Sequence, residues 1–289
     1  MAAPSYQDGY WYSADGLRLH FRDYPGDKSK APVLCIPGLT RNVRDFEGVA
    51  QRLAGKRRVI AVDLRGRGES DPATDPLSYV PPVYLQDLLA LLAELNLPPS
   101  VVFGTSLGGL LAMLLGLTAR QALAGVLLND IGPELGAEGI ARIRSYVGRP
   151  AHFSSWDEAA GTIAANHRDA FPDYTIEDWR IWAHRMCREA APGDIVFDYD
   201  MAIAEPFKRP APEPAIDLWP ALETLIGLPA LLVRGEYSDV LATETASDMV
   251  RRVPTMELVT LPRIGHAPTL EEPEAALAID RLLAQVDHE

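Results

Sequence analysis

Residues 101–115 read VVFGTSLGGLLAMLL. They place a serine among glycines, at the point where a strand-like run ends and a helix-like run begins. The run 101–103 is apolar and mostly β-branched, as in a buried strand. The run after the glycines consists of Leu, Ala and Met, which favour a helix. Glycine in either element costs about 0.5–1 kcal/mol relative to alanine. We therefore expect a tight strand-to-helix turn at Ser106, where side chains at Gly104 and Gly108 would clash with the adjoining strand and helix.

Such a turn exposes the Ser106 hydroxyl at the carboxyl end of a sheet, above the amino terminus of the next helix. The amide of Leu107 would then point toward an oxyanion forming on a substrate, and the helix dipole would add to the attraction. By chance, Gly-x-Ser-x-Gly occurs in about one chain in ten of this length. Its position between a strand and a helix is what makes Ser106 a candidate nucleophile.

The rest of the chain alternates short apolar runs with helical patterns. Strands are expected at 10–12, 17–24, 32–36, 58–62, a run ending at 104, 125–128, 230–233 and 256–261. Helices are expected at 45–53, 84–95, after Ser106, at 243–252 and from Pro273 onward. This alternation predicts an α/β fold with a mostly parallel central sheet and helices on both faces.

The alternation stops after Pro133, and the sequence to about Pro220 has irregular helical patterns and many Pro, Trp and Tyr residues. We expect a helical cap inserted after about the sixth strand. The predicted domains are a core of residues 1–132 and 219–289 and a cap of residues 133–218. The segment PAPEP at 210–214 is the predicted exit linker of the cap.

Composition narrows the possible partners. The 289 residues include 40 Asp and Glu against 27 Lys and Arg, a formal net charge of −13. Such a surface repels phosphate backbones and anionic lipids, so we expect no nucleic-acid or membrane partner.

The amino terminus lacks signal-peptide features, and the two cysteines suggest no disulfide framework, which favours a cytoplasmic location. We expect no metal and no cofactor, because metal-ligand spacings and phosphate-binding loops are missing from the sequence.

A serine nucleophile needs a base, and the base needs a carboxylate that orients it. Among six histidines, His266 follows a late strand and is the candidate base. The acid should lie in the loop after the preceding strand, where Asp239 fits best. Asp130, which follows an earlier strand, and Glu236 remain alternatives. The other histidines are expected to be structural or solvent-exposed: His20, His152, His167, His184 and His288.

Two further loops follow predicted strands. The loop 36–40 is expected to supply a second oxyanion donor, the amide of Leu39, because Gly38 allows a sharp backbone turn. The loop 63–70, which reads DLRGRGES, is expected to be held by salt bridges and glycine turns.

With these pieces in this order, the sequence resembles the α/β-hydrolase superfamily. The matching segments are 37–39, 63–68, 104–109, 235–239 and 265–271, and the resemblance covers about residues 10–132 and 219–287. Within the superfamily, the chain is similar to small capped carboxylesterases and 3-oxoadipate enol-lactonase-like hydrolases. One departure is Pro37, which stands where many relatives have histidine. Ser106 excludes the dehalogenases and epoxide hydrolases of this fold, which use aspartate there, and Leu107 disfavours proline iminopeptidase activity.

The resemblance implies a serine hydrolase that cleaves a small-molecule carboxylic ester or lactone through an acyl-enzyme, with a triad of Ser106, Asp239 and His266. Two alternatives stay open. One is a hydrolase of carbon–carbon bonds in β-diketone-like substrates, and the other is a ligand receptor on the same fold with vestigial activity.

The cap is expected to set substrate choice. Most of its aromatic residues are expected to form its core. The candidates for substrate contact are Trp156, Trp182 and Tyr199.

Overall fold

The structure is a computed structural model that describes residues 6–209 and 216–288, so the predicted linker at 210–214 lies outside the described residues. Its centre is an eight-stranded sheet in the order β1-β2-β4-β3-β5-β6-β10-β11. The strands β1 and β2 are antiparallel at one edge, and all pairs from β4 to β11 are parallel. The strands are β1 Gln7–Tyr12, β2 Arg18–Tyr24, β3 Val33–Ile36, β4 Val59–Val62, β5 Ser100–Thr105, β6 Leu123–Asn129, β10 Ala230–Gly235 and β11 Met256–Leu261. The predicted α/β-hydrolase architecture, a mostly parallel sheet with helices on both faces, is confirmed.

The inner strands are apolar on both sides because helices cover both faces of the sheet. All four residues of β3 are buried. They alternate between two hydrophobic clusters: Leu34 packs with the cluster that contains Leu111, and Val33 packs with the cluster that contains Ile279. This period of two is what a strand imposes.

The five helices predicted for the core lie where the periodicity places them, with small shifts at their first turns. The helices are α1 Glu47–Leu53, α2 Pro81–Glu94, α3 Leu107–Ala119, α4 Ala137–Tyr146, α5 Trp156–His167, α6 Ile176–Met186, α7 Trp219–Glu223, α8 Thr243–Arg252 and α9 Pro273–His288. Of these, α4 to α7 had no individual prediction. The helix expected from residue 45 begins as a 3₁₀ turn at Val43–Phe46 before α1. The helix α2 begins earlier than predicted, because proline is well placed in a first helical turn.

The cap lies between β6 and α7 and is not wholly helical. Besides α4, α5 and α6, it contains a three-stranded antiparallel sheet in the order β7-β9-β8. Its strands are β7 His152–Phe153, β8 Cys187–Ala191 and β9 Asp194–Phe197. The prediction of a helical cap missed this sheet, because β7 and β9 are very short and four of the five residues of β8 are exposed. Such strands leave no alternating apolar pattern.

The cap has an aromatic core of its own. The rings of Phe171 and Trp182 lie 4.9 Å apart, and those of Trp179 and Trp182 lie 5.5 Å apart, all edge to face. This geometry is favoured for aromatic pairs. Among the helices of residues 6–209 and 216–288, none combines the length and the apolar character needed to cross a membrane.

Candidate active site

Ser106 stands on the turn between β5 and α3, with φ 51° and ψ −114°. This conformation is costly for a non-glycine residue and recurs at functional sites. A Cβ added to Gly104 would lie 2.4 Å from the backbone of Gly108, and one added to Gly108 would lie 2.0 Å from the carbonyl oxygen of Ile36. The expected reason for both glycines is therefore confirmed: strand and helix approach too closely for any side chain.

A chain of hydrogen bonds runs from Ser106 to a buried carboxylate. The Nε2 atom of His266 lies 2.9 Å from Ser106 Oγ, and its Nδ1 atom lies 2.8 Å from Asp130 Oδ2. Asp130 is fully buried, and its Oδ1 accepts a hydrogen bond of 2.9 Å from the amide of Gly235. When Nδ1 donates to the carboxylate, Nε2 is free to accept the serine proton. This arrangement can turn the hydroxyl into a nucleophile.

The structure corrects the predicted position of the acid. Asp239 binds Arg142 of α4 through both carboxylate oxygens, at 2.6 and 2.8 Å. Burial raises the pKa of Asp239, but the Arg142 guanidinium outweighs this effect and the net shift is downward. Glu236 accepts a hydrogen bond from a backbone amide of the loop after β11. The carboxylate beside His266 belongs to Asp130, which the sequence left as an alternative.

The two aspartates follow neighbouring strands, so their loops leave the same edge of the sheet. Asn129, the last residue of β6, lies opposite Val233 of β10. Asp130 comes directly after β6 with φ 56°, a conformation in which aspartate is enriched. Asp239 lies farther along its loop and packs on the cap, where a Cβ added to Gly136 would lie 2.2 Å from the Asp239 carbonyl oxygen. Contact with the cap therefore fixes the surroundings of Asp239.

The loops that carry Leu39 and Leu107 lie beside Ser106. A Cβ added to Gly38 would lie 3.7 Å from Ser106 Cβ, so the loop after β3 lies against the serine. Leu107 is the first residue of α3, and its amide therefore has no partner within the helix. Within residues 6–209 and 216–288, neither amide donates a hydrogen bond to another group of the chain. Both are free to bind a substrate oxygen, and they remain the predicted oxyanion donors.

Two buried polar side chains that the sequence reasoning did not assign hold the loops of the site. Arg67 donates a hydrogen bond of 2.8 Å from Nε to the carbonyl of Leu39. Asn129 donates one of 2.8 Å from Nδ2 to the carbonyl of Pro268, two residues after His266. Each bond ties a loop to a distant part of the chain. Of these two side chains, only Arg67 could have been singled out from the sequence, because it lies in the loop 63–70 that follows a predicted strand.

Ion pairs hold the loop 63–70, as predicted. Arg65 is buried and lies 2.7 Å from Asp87 and 3.0 Å from Asp15. The loop also binds His20 of β2, which is buried with Nδ1 2.7 Å from Asp63. A second carboxylate, that of Asp8, lies 2.8 Å from Nε2 of the same ring. Burial lowers the pKa of His20, but the two carboxylates outweigh it and the net shift is upward. This histidine is structural.

A cavity of about 90 Å³ opens beside Ser106, between the sheet and the cap. We call it the nucleophile cavity. Its walls are the loop after β3, the loop of His266 and side chains of α4, α5 and α6. The cap contributes Tyr146, His167 and Trp182. The site is therefore partly covered and lined by aromatic rings.

The nucleophile cavity also contains a cation. Arg41 lines it and binds Asp45 through Nε and Nη2, both at 2.6 Å. The guanidinium lies 5.0 Å from the centre of the Trp182 ring. Burial lowers the pKa of Arg41, but Asp45 outweighs this effect and the net shift is upward. Arg41 therefore stays charged inside the cavity.

The three cap residues predicted to contact substrate lie in different places. Trp182 lines the nucleophile cavity. Tyr199 lines a second cavity next to it. Trp156 stacks on His184 with ring centres 3.9 Å apart, and it lines neither of these two cavities. In the described ranges 6–209 and 216–288, no three His, Cys, Asp or Glu side chains are grouped so that they could hold a metal ion.

Several known proteins are similar to this chain in sequence or in structure. A model of the alpha/beta hydrolase family matches residues 33–280. The 3-hydroxybutyrate-oligomer hydrolase of Cupriavidus necator is 36% identical over 272 residues, which cover 91% of this chain and 91% of that protein. The crystal structure of an alpha/beta hydrolase from Novosphingobium aromaticivorans matches with a TM-score of 0.94 and 53% identity, covering 99% of each chain. The 2-(acetamidomethylene)succinate hydrolase of Mesorhizobium japonicum is 25% identical over 253 residues, or 87% of each chain.

The fold, the turn at Ser106 and these similarities all indicate the same family. The chain belongs to the α/β hydrolase family.

Proposed function

We propose that this protein is a serine hydrolase that cleaves a carboxylic ester or lactone through an acyl-enzyme. The observation that carries this proposal is the unbroken hydrogen-bonded chain from Ser106 Oγ through His266 to the buried carboxylate of Asp130. The order nucleophile, base and orienting acid is what acyl transfer by serine requires. Asp130 therefore takes the role that the sequence assigned to Asp239.

In this mechanism His266 removes the Ser106 proton as Oγ attacks the ester carbonyl. The amides of Leu39 and Leu107 hold the oxyanion, and each such donor typically contributes about 10²–10³ in rate. Asp130 stabilises the imidazolium. The imidazolium then protonates the leaving alcohol, and a water deprotonated by His266 releases the acid from the acyl-enzyme.

The substrate class that we propose is a linear ester of short hydroxycarboxylic acids. The relative from Cupriavidus necator, which aligns over nine-tenths of this chain, is named for the hydrolysis of 3-hydroxybutyrate oligomers. Such an oligomer has repeated ester carbonyls and a carboxylate at one end. Aromatic walls at Tyr146 and Trp182 and the charged Arg41 suit a small, oxygen-rich chain of this kind.

The test is turnover of p-nitrophenyl acetate, butyrate and octanoate by the native protein, by Ser106→Ala and by Ser247→Ala. The third protein is the matched control, because Ser247 is exposed on α8 and does not line the nucleophile cavity. We expect the first substitution to lower kcat/KM by about 10³-fold or more and the control to leave it unchanged. A fluorophosphonate should add mass to the native protein and not to Ser106→Ala.

Equal turnover by the native protein and a folded Ser106→Ala variant would contradict the proposal. Cleavage of a β-diketone by a native protein that turns over no ester would favour the carbon–carbon bond hydrolase instead.

A further inference from the structure

A second cavity, which we call the distal cavity, adjoins the nucleophile cavity under the cap. Four side chains line both: Thr40, Tyr146, His167 and Met186. The distal cavity has a volume of about 250 Å³, against about 90 Å³ beside the serine. A substrate that extends past one acyl unit therefore has more room in the distal cavity than at the nucleophile.

His167 stands where the two cavities meet. Its ring lies 6.1 Å from that of Tyr146 and 5.6 Å from that of Trp182. Within residues 6–209 and 216–288, neither ring nitrogen makes a hydrogen bond, and Nδ1 is buried without a partner. Burial and nearby cations lower the pKa of His167 to about 4, so the ring is neutral and offers one donor and one acceptor. The ring as a whole is half-buried, but a buried ring nitrogen without a partner calls for an explanation, and a ligand oxygen supplies one.

The charge of the distal cavity is opposite to that of the whole protein. Arg149 lines it, and no Asp or Glu does among the residues that the structure describes. In that same part of the chain, the Arg149 side chain forms no ion pair. The full sequence has 40 acidic residues against 27 basic ones. Ile163 and Phe197 supply apolar walls nearby. An arginine that no acid neutralises, beside apolar walls, favours a carboxylate ligand because its fork matches the two oxygens.

We propose that the distal cavity binds the far end of an extended hydroxy-acid ester, with the terminal carboxylate on Arg149 and an intermediate oxygen on His167. This inference rests on the substrate class of the proposed function. It adds the direction in which the substrate lies: the scissile ester is at Ser106, and the acid end lies at Arg149, an exposed residue that lines the distal cavity. It also explains why an acidic protein would select an anionic substrate.

The experiment measures binding without turnover, by calorimetry on the Ser106→Ala protein. The ligands are the linear trimer of 3-hydroxybutyrate and the same trimer with its carboxylate converted to a primary amide. We expect the acid to bind more tightly than the amide. Adding Arg149→Gln should raise the Kd of the acid trimer about tenfold or more and bring it close to that of the amide. Arg149→Lys should restore part of the affinity.

The matched control is Arg144→Gln, which removes an equal charge from an exposed position on α4 that lines neither cavity. It should leave the preference for the acid unchanged. Equal affinity for acid and amide, equal effects of the two substitutions, or no binding of the trimer would each overturn the proposal. Since Arg149 is exposed, thermal unfolding should show all variants folded.

This design separates the two proposals. If the native protein hydrolyses p-nitrophenyl esters through Ser106 but binds acid and amide trimers equally, the distal site is wrong and the serine hydrolase stands. If the trimer binds through Arg149 but Ser106→Ala leaves ester turnover intact, the proposed chemistry fails and the binding site stands.

Discussion

Replacing Asp130 by asparagine tests the site at its most specific contact. The carboxylate accepts two hydrogen bonds in a fully buried place, one of 2.8 Å from His266 Nδ1 and one of 2.9 Å from the amide of Gly235. Both partners are donors. An asparagine has one acceptor oxygen and one NH₂ group in the same shape, so it can satisfy only one of them.

The two orientations of the asparagine have different costs. With the NH₂ toward His266, Nδ1 must accept, Nε2 carries the proton, and the base is lost. The expected loss in kcat is about 10⁴-fold, or about 5.4 kcal/mol of transition-state stabilisation. With the oxygen toward His266, the NH₂ opposes the Gly235 amide, which costs about 1–3 kcal/mol of folding stability. In that orientation the imidazolium also lacks a negative partner.

The assay compares Asp130→Asn with Asp239→Asn, using p-nitrophenyl acetate turnover and urea unfolding. Asp239 pairs with Arg142 where both side chains are 29% exposed, and such pairs contribute about 0–1 kcal/mol. We therefore expect Asp239→Asn to change kcat by less than about tenfold and stability by at most about 1 kcal/mol.

The opposite result would refute this reasoning. A loss of about 10⁴ in Asp239→Asn, with nearly full activity in Asp130→Asn, would mean that Asp239 leaves Arg142 and orients His266 during turnover. Equal small effects in both variants would remove the carboxylate from the mechanism.

Two further predictions concern stability. Gly108→Ala should lower the free energy of unfolding by about 1–3 kcal/mol, because the added Cβ would lie 2.0 Å from the Ile36 carbonyl oxygen. Gly161→Ala should raise the free energy of unfolding by about 0.5–1 kcal/mol, because Gly161 lies in a helix and an added Cβ would have nothing within 4 Å. Urea unfolding checks both, and equal effects would contradict the close approach. The raised pKa of His20 means that its pairing with Asp63 stabilises the fold fully below the unfolded pKa of about 6.5 and is lost as the pH rises through the folded value. The difference in unfolding free energy between the native protein and His20→Gln should therefore shrink from pH 6 to pH 9, and a constant or growing difference would count against this account.

The parts of the fold that local sequence encodes were predictable. Each predicted strand has a counterpart in the sheet, because burial on both faces requires apolar runs such as Val59–Val62. The turn at Ser106 was also predictable from local sequence, because its glycines, the strand before it and the helix after it are adjacent in the chain. The sheet of the cap was not, because the exposed residues of β8 bury almost nothing and so leave no periodic signal.

The sequence by itself determined the order of strands and helices, the tight turn at Ser106 and the late loop that carries His266, since each depends on neighbours in the chain. Only the tertiary structure decided which carboxylate meets that histidine. Asp130 and Asp239 both leave the same edge of the sheet, and the difference between them is an arginine 97 residues away from Asp239 that arrives with the cap. The same holds for Arg149. It is a candidate for ligand binding only because it lines a cavity together with side chains of other elements. Contacts of this kind depend on distances through space, which residue order and periodicity do not contain.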